Sequence, residues 1–151
     1  AVIPIMERRA IATQLGATAL VPNTALEQIR DATGGRMARS AVEAVGADAT
    51  VRLALDVVGK QGTVSVIGVN KSKHFNFPIG ELLPRGLTFR IGACSVQCDW
   101  PELVPLLQQG RLRPERFFTH RLPLSAGSEA YRLFDERRDG VLKTVLLPQG
   151  R

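Results

Sequence analysis

Two buried strands that end in glycine, joined by a helical stretch, constrain this chain more than any other feature of its sequence. Residues 40–45 run apolar around Glu43 and stop at Gly46, and residues 62–69, Gly-Thr-Val-Ser-Val-Ile-Gly-Val, repeat the pattern around Gly68. Between them, residues 49–58 set Val51, Leu55 and Val58 at helical spacing, with Leu53, Ala54 and Val57 widening the apolar face. Strand, crossover helix and strand form the unit of a parallel α/β sheet, whose ligands bind at the carboxyl ends of the strands. No phosphate-binding glycine loop comes before the first glycine-ended strand: the sequence opens at Ala1-Val-Ile-Pro-Ile5, already strand-like.

The remaining segments extend the alternation. Residues 2–5 and 17–21 read as short strands around a helix over 7–15 that stops at Gly16. Asn23 or Thr24 caps a helix to Ala32, followed by Gly34-Gly35. After a polar loop over 70–76, residues 78–83 predict a short helical turn and 87–91 a strand. Trp100 to Gln108 reads as a helix with Pro101 in its first turn. A longer amphipathic helix is expected over 125–137 and a final strand over 142–147. The pattern implies a right-handed, mostly parallel α/β fold.

Charge excludes some function classes. The net charge is +6, but Arg8, Arg9, Arg30, Arg36, Arg39, Lys71, Lys73, Arg111, Arg113 and Arg116 are scattered, and only 5% of residues are aromatic. Without a basic run or stacking platforms, nucleic-acid binding is not expected. No apolar run approaches the roughly 20 residues of a membrane span, so no membrane association and a cytoplasmic location are expected.

The chemistry-bearing residues are sparse. Cys94 and Cys98, with His74 and His120 as the only histidines, do not make a zinc site, and the two cysteines read as structural thiols. No nucleophile elbow or carboxylate cluster is present, so no catalytic residue is assigned. Glu43 reads as a hydrogen-bonded structural acid near its strand end, and His120 as a packed or capping histidine. Gly46, Gly68 and Gly92 each follow a strand-like run; they are either plain turn glycines or places where a flat ligand approaches the main chain. Lys143 is either a solvated lysine or a contact to a phosphate.

The order of these motifs resembles a known family. Glu7-Arg-Arg-Ala10, Gln14-Leu-Gly-Ala17, Gly34-Gly-Arg36, Glu43-Ala-Val-Gly46 and Gly62 to Val69 are similar to segments of the zinc-type medium-chain dehydrogenases, the alcohol dehydrogenase family. So are Pro101-Glu-Leu103, Thr119-His-Arg-Leu-Pro-Leu124, Ala130-Tyr-Arg-Leu-Phe-Asp135 and Gly140 to Leu147. The resemblance implies a Rossmann-like parallel sheet lacking its first strand and glycine-rich loop, plus a C-terminal helix and strand returning to an absent catalytic domain. Residues 1–110 would be a partial NAD(P)-binding domain, and 111–151 the segment that packs on that catalytic domain.

By position, the resemblance places Arg8 beside the adenosine ribose, and Val45 and Gly46 at the adenine side. Ile67, Gly68 and Val69 fall against the nicotinamide ribose and carboxamide. Gly92 and Cys94 become backbone contacts to the carboxamide, and Lys143 a contact to the pyrophosphate. Ile3 stands where the family carries its ribose-binding acid, which leaves NAD or NADP open as coenzyme. Zinc belongs to the parent enzyme, with ligands outside this chain. The implied activity is hydride transfer between a small alcohol or aldehyde and nicotinamide in a homo-oligomer, dimer or tetramer, with the strand over 87–91 in the dimer contact. This portion would contribute coenzyme binding only and show no turnover alone. The alternatives are a non-catalytic nucleotide- or partner-binding module, or a truncated product without function. Because the first strand is central in the order 3-2-1-4-5-6, the sheet is expected either to show a gap there or to close it by other pairing.

Overall fold

A computed structural model describes residues 1–148 and divides into two compact units, Ala1–Cys94 and Ser95 onward. The first unit contains α1 (Met6–Gln14), α2 (Pro22–Ala32), β1 (Ala38–Glu43), α3 (Asp48–Val57), β2 (Val58–Val66), α4 (Ile79–Leu82) and β3 (Thr88–Ile91). The strands form a sheet in the order β1-β2-β3, parallel throughout. The α/β fold expected from the sequence is therefore present, with both glycine-ended segments side by side.

Alternation along β2 explains how this sheet is held. Gly62, Val64 and Val66 are buried, while Thr63 and Ser65 are partly exposed on the opposite face. Onto the buried face packs the apolar side of α3, through Val51, Ala54, Leu55 and Val57. Leu26 and Ile29 of α2, Ala41 of β1, Leu82 of α4 and Phe89 of β3 close the cluster. Leu55 and Val64 are completely buried, and each such side chain stabilises the fold by about 1.5–3 kcal/mol.

β1 and β2 do not run in simple register. Ala38 pairs with Val58 but Ser40 pairs with Thr63, so β2 inserts extra residues against β1. Gln61 lies in that insertion at φ +58°. The strand expected over 62–69 thus begins four residues earlier and ends at Val66, because the carbonyl of Glu43 already draws the chain after Val66 into a turn.

The strands expected over 2–5 and 17–21 contract to one parallel bridge, Val2 with Leu20. Leu20 N–H donates to Ala1 O at 2.7 Å and Ile3 N–H to Leu20 O at 2.9 Å. Pro4 has no N–H to extend the ladder, and Pro22 starts α2. Among the described residues no strand joins this pair to β1, whose other edge has no ladder partner. Of the two outcomes expected for the sheet, the gap is the one observed. Val42, on the face of β1 opposite Ala41 and Glu43, is 68% exposed.

The second unit contains α5 (Val96–Gln108), β4 (Phe118–Pro123), α6 (Gly127–Asp135) and β5 (Lys143–Leu147). β4 and β5 pair in parallel, with Arg121 opposite Val145 and Leu122 opposite Leu146. The crossover between them carries α6, which buries Ala130 and Leu133; Val141, in the turn before β5, is buried as well. α6 is shorter than expected, since residues 124–126 form a 3₁₀ turn and the last turn breaks at Glu136. α5 begins at Val96 rather than Trp100, which puts Pro101 and Pro105 inside the helix.

Candidate functional site

The carboxyl ends of β1 and β2 meet around Glu43. Its side chain is buried to 4% exposure, in an otherwise apolar strand end. Oε1 accepts hydrogen bonds from Val45 N–H at 2.7 Å and Gly46 N–H at 2.9 Å. The Thr50 hydroxyl lies 2.8 Å from Oε1 and also 2.8 Å from Ala47 O, with one proton for two acceptors. Glu43 is therefore the hydrogen-bonded structural acid that its position suggested. Sequence reasoning missed Thr50; the signal was its place at the third residue of α3, where a hydroxyl reaches back to the chain entering the helix.

The backbone carbonyl of Glu43 serves the second strand. Ile67 N–H donates to it at 2.8 Å and Gly68 N–H at 3.1 Å. One residue thus organises the turn after β1 with its carboxylate and the turn after β2 with its main chain. Its other carboxylate oxygen, Oε2, is buried without a hydrogen-bond partner.

The two glycines interlock at this point. A Cβ on Gly68 would lie 2.2 Å from Gly46 N and 2.7 Å from Glu43 Oε2. A Cβ on Gly46, whose φ is +82°, would lie 2.3 Å from Val69 O. Both positions therefore need glycine because one main chain crosses the other, which is a reason internal to the fold. Gly92 differs: the space that its Cβ would fill is open.

Around the crossing, Val45, Ile67 and Val69 are 70%, 60% and 84% exposed, and Ile91 at the end of β3 is 75% exposed. The carboxyl edge of the sheet thus presents apolar side chains flanking bare backbone. Asn70 Nδ2, 2.7 Å from Asp48 Oδ1, ties the chain after β2 to the start of α3. Five of the residues singled out in the sequence, Val45, Gly46, Ile67, Gly68 and Val69, are brought together here.

The others lie outside these two strand ends. Arg8 is partly exposed on α1, while Gly92 and Cys94 are exposed beyond β3. Lys143 lies in the second unit, its Nζ 5.6 Å from the centroid of the Phe134 ring, an arrangement that favours a cation over the aromatic face. It borders a shallow cavity of about 250 Å³ with Ala130, Tyr131, Thr144 and Leu146. His120 is partly buried and its Nδ1 sits 3.0 Å from Thr119 Oγ1, within β4.

Among the described residues, no group of three or more His, Cys, Asp or Glu is arranged to hold a metal ion. No helix among them is long and apolar enough to cross a membrane.

Comparison with known proteins agrees with this geometry. Residues 1–109 match the zinc-binding dehydrogenase family model. A probable zinc-binding alcohol dehydrogenase of Mycobacterium tuberculosis is 42% identical over 131 residues, covering 87% of this chain and 34% of that protein. Among solved structures, the alcohol dehydrogenase of Thermus sp. ATN1 superposes with a TM-score of 0.92 at 36% identity, over 99% of this chain and 43% of its own. Zinc-dependent alcohol dehydrogenase 2 from Streptococcus pneumonia gives 0.90 at 30% identity, over 99% and 44%. The chain spans about a third of the length of the curated relative and less than half of either solved chain. It belongs to the zinc-binding dehydrogenase family, the zinc-type medium-chain alcohol dehydrogenases, and corresponds to their C-terminal coenzyme-binding portion.

Proposed function

We propose that this chain contributes coenzyme-binding residues, for NAD or NADP, to an alcohol dehydrogenase-type oxidoreductase. The observation that carries the reading is the crossing of Gly46 and Gly68 at the carboxyl edge of a parallel sheet, with Val45, Ile67 and Val69 exposed beside it. In open α/β sheets that edge is where nucleotides bind. Bare backbone offers amide and carbonyl groups to a carboxamide or ribose, and the flanking apolar side chains fit a flat ring.

In this reading Val45 and Gly46 serve the adenine side, while Ile67, Gly68, Val69, Gly92 and Cys94 serve the nicotinamide side. Arg8 and Lys143 supply cationic charge for ribose and pyrophosphate. The bound coenzyme supplies the hydride chemistry, and the residues of this chain bind and orient it. The described residues hold no group arranged for zinc; in this reading the zinc ligands and the alcohol or aldehyde pocket are those of the rest of the parent enzyme. A coenzyme-domain boundary at residue 110, a homo-oligomer using 87–91 and a cytoplasmic location complete the proposal.

The test is a titration of the chain with NADH and NADPH, followed by coenzyme fluorescence, beside an assay with NAD, zinc and simple alcohols. Weak binding, in the millimolar range of about −4 kcal/mol, is expected, with no turnover. Ile67→Arg should abolish that binding; binding that survives it, or turnover by the chain alone, overturns the reading. The unpaired edge of β1 favours a second reading, a module that binds another polypeptide. Saturable binding to a polypeptide, with no response to either coenzyme, would select it.

A further inference from the structure

We propose that Glu43 is a positioning residue of the coenzyme site, tying the turn at Val45-Gly46 to the turn at Ile67-Gly68 so that both strand ends meet a ligand as one rigid edge. The inference rests on the coenzyme-binding reading and goes beyond it by assigning a role to a residue that touches no coenzyme.

Three observations combine. Among the described residues, Glu43 is the one buried charged residue, beside core residues that are apolar. Its carboxylate takes the Val45 and Gly46 amides on one oxygen, and its carbonyl takes the Ile67 and Gly68 amides, so four amides of two strand ends converge on a single residue. Finally, Oε2 is buried without a partner at the glycine crossing, where only the missing Cβ of Gly68 leaves it room.

A buried carboxylate with one unsatisfied oxygen is costly, and stability alone does not explain it. Apolar side chains at this point would avoid the unsatisfied oxygen. They would leave the amides of Val45 and Gly46 without an acceptor and the first turn free to move against the second. An anion able to gather both amides and the Thr50 hydroxyl fixes the turn while occupying one side of the crossing.

Backbone carbonyl and carboxylate act differently under mutation, which makes the tie testable. Truncating the side chain to alanine removes the acceptor of Val45 and Gly46 but leaves the carbonyl that serves Ile67 and Gly68. Amide hydrogen exchange is measured on the protein as its gene expresses it, for wild type, Glu43→Gln and Glu43→Ala, with the α3 amides of Leu55 and Val57 reporting the stability of the first unit. In Glu43→Ala, protection is expected to fall about tenfold or more at all four amides, the two with intact acceptors included, over and above any change at the Leu55 and Val57 amides. That corresponds to the loss of one hydrogen bond to a charged group. The initial slope of the NADH titration should fall about tenfold with it. Glu43→Gln, which keeps an acceptor oxygen and the side-chain volume, is expected to retain the fold and to show a smaller loss at the same amides.

Loss confined to Val45 and Gly46 in both variants overturns the tie. Loosening at all four amides with unchanged NADH response overturns the positioning role and leaves Glu43 a purely structural acid. Absence of any NADH response in the wild type overturns the coenzyme reading and the positioning role with it, while the exchange pattern still judges the tie.

Discussion

The amide nitrogen of Gly46 occupies the space that a side chain on Gly68 would need, 2.2 Å from the position of its Cβ. The obstacle is main chain on both sides, so no rotamer change relieves it. Gly68→Ala should therefore destabilise the protein by about 1–3 kcal/mol, the range for overpacking a closely fitted site. Gly92→Ala meets nothing within 4 Å and should stay within about 0.5 kcal/mol of wild type. Urea unfolding of the two variants side by side checks the contrast, and equal costs would refute the crossing.

Arg85 closes the end of α3. Its Nη2 donates to Leu55 O at 2.6 Å and to Val58 O, carbonyls at the helix C-terminus, where a cation also meets the negative end of the helix dipole. Arg85→Ala should lower stability by about 2 kcal/mol, as for hydrogen bonds from a charged donor. Arg85→Lys should recover only part of it, because one ammonium does not reproduce the planar fork. The shift in urea midpoint at constant m-value is the measurement.

Gln61 sits at φ +58° in the insertion of β2 against β1, and its side chain is exposed. A left-handed residue other than glycine costs roughly 1–2 kcal/mol, partly offset by the greater freedom of glycine in the unfolded chain. Gln61→Gly should thus stabilise by about 0.5 kcal/mol, read as a small rise in Tm. A fall would mean that the Gln61 side chain contributes packing.

Val42 is exposed on a strand with one unpaired edge. Such edges invite pairing between copies, and lysine on an edge suppresses it. Val42→Lys should reduce self-association of the chain in light scattering at high concentration. The secondary-structure content should remain as in the wild type.

The sequence made the centre of the first unit legible and left its periphery obscure, for physical reasons. β1, α3 and β2 could be read because one apolar face recurs at the strand and helix periods and the glycines punctuate it. β4 was not expected, since Phe118, His120 and Leu122 alternate too weakly between Thr119, Arg121 and Pro123, and its partner β5 comes twenty residues later. Pro101 looked like a helix start, but α5 accommodates it in its interior. At the site, the cluster of Val45, Gly46, Ile67, Gly68 and Val69 was legible as strand ends. That Gly46 and Gly68 face each other, and that Glu43 joins their turns, depends on a register between strands that no local pattern encodes.

The glycine crossing also limits how such a site can diversify. Neither Gly46 nor Gly68 has room for a side chain, so the backbone that a ligand would meet there is fixed in shape and chemistry. Variation is left to Val45, Ile67 and Val69, whose side chains project outward and carry no load in the core. A protein built this way can alter the side chains that it presents at this edge by exchanging these three residues, while the crossing beneath them keeps the edge of the sheet unchanged.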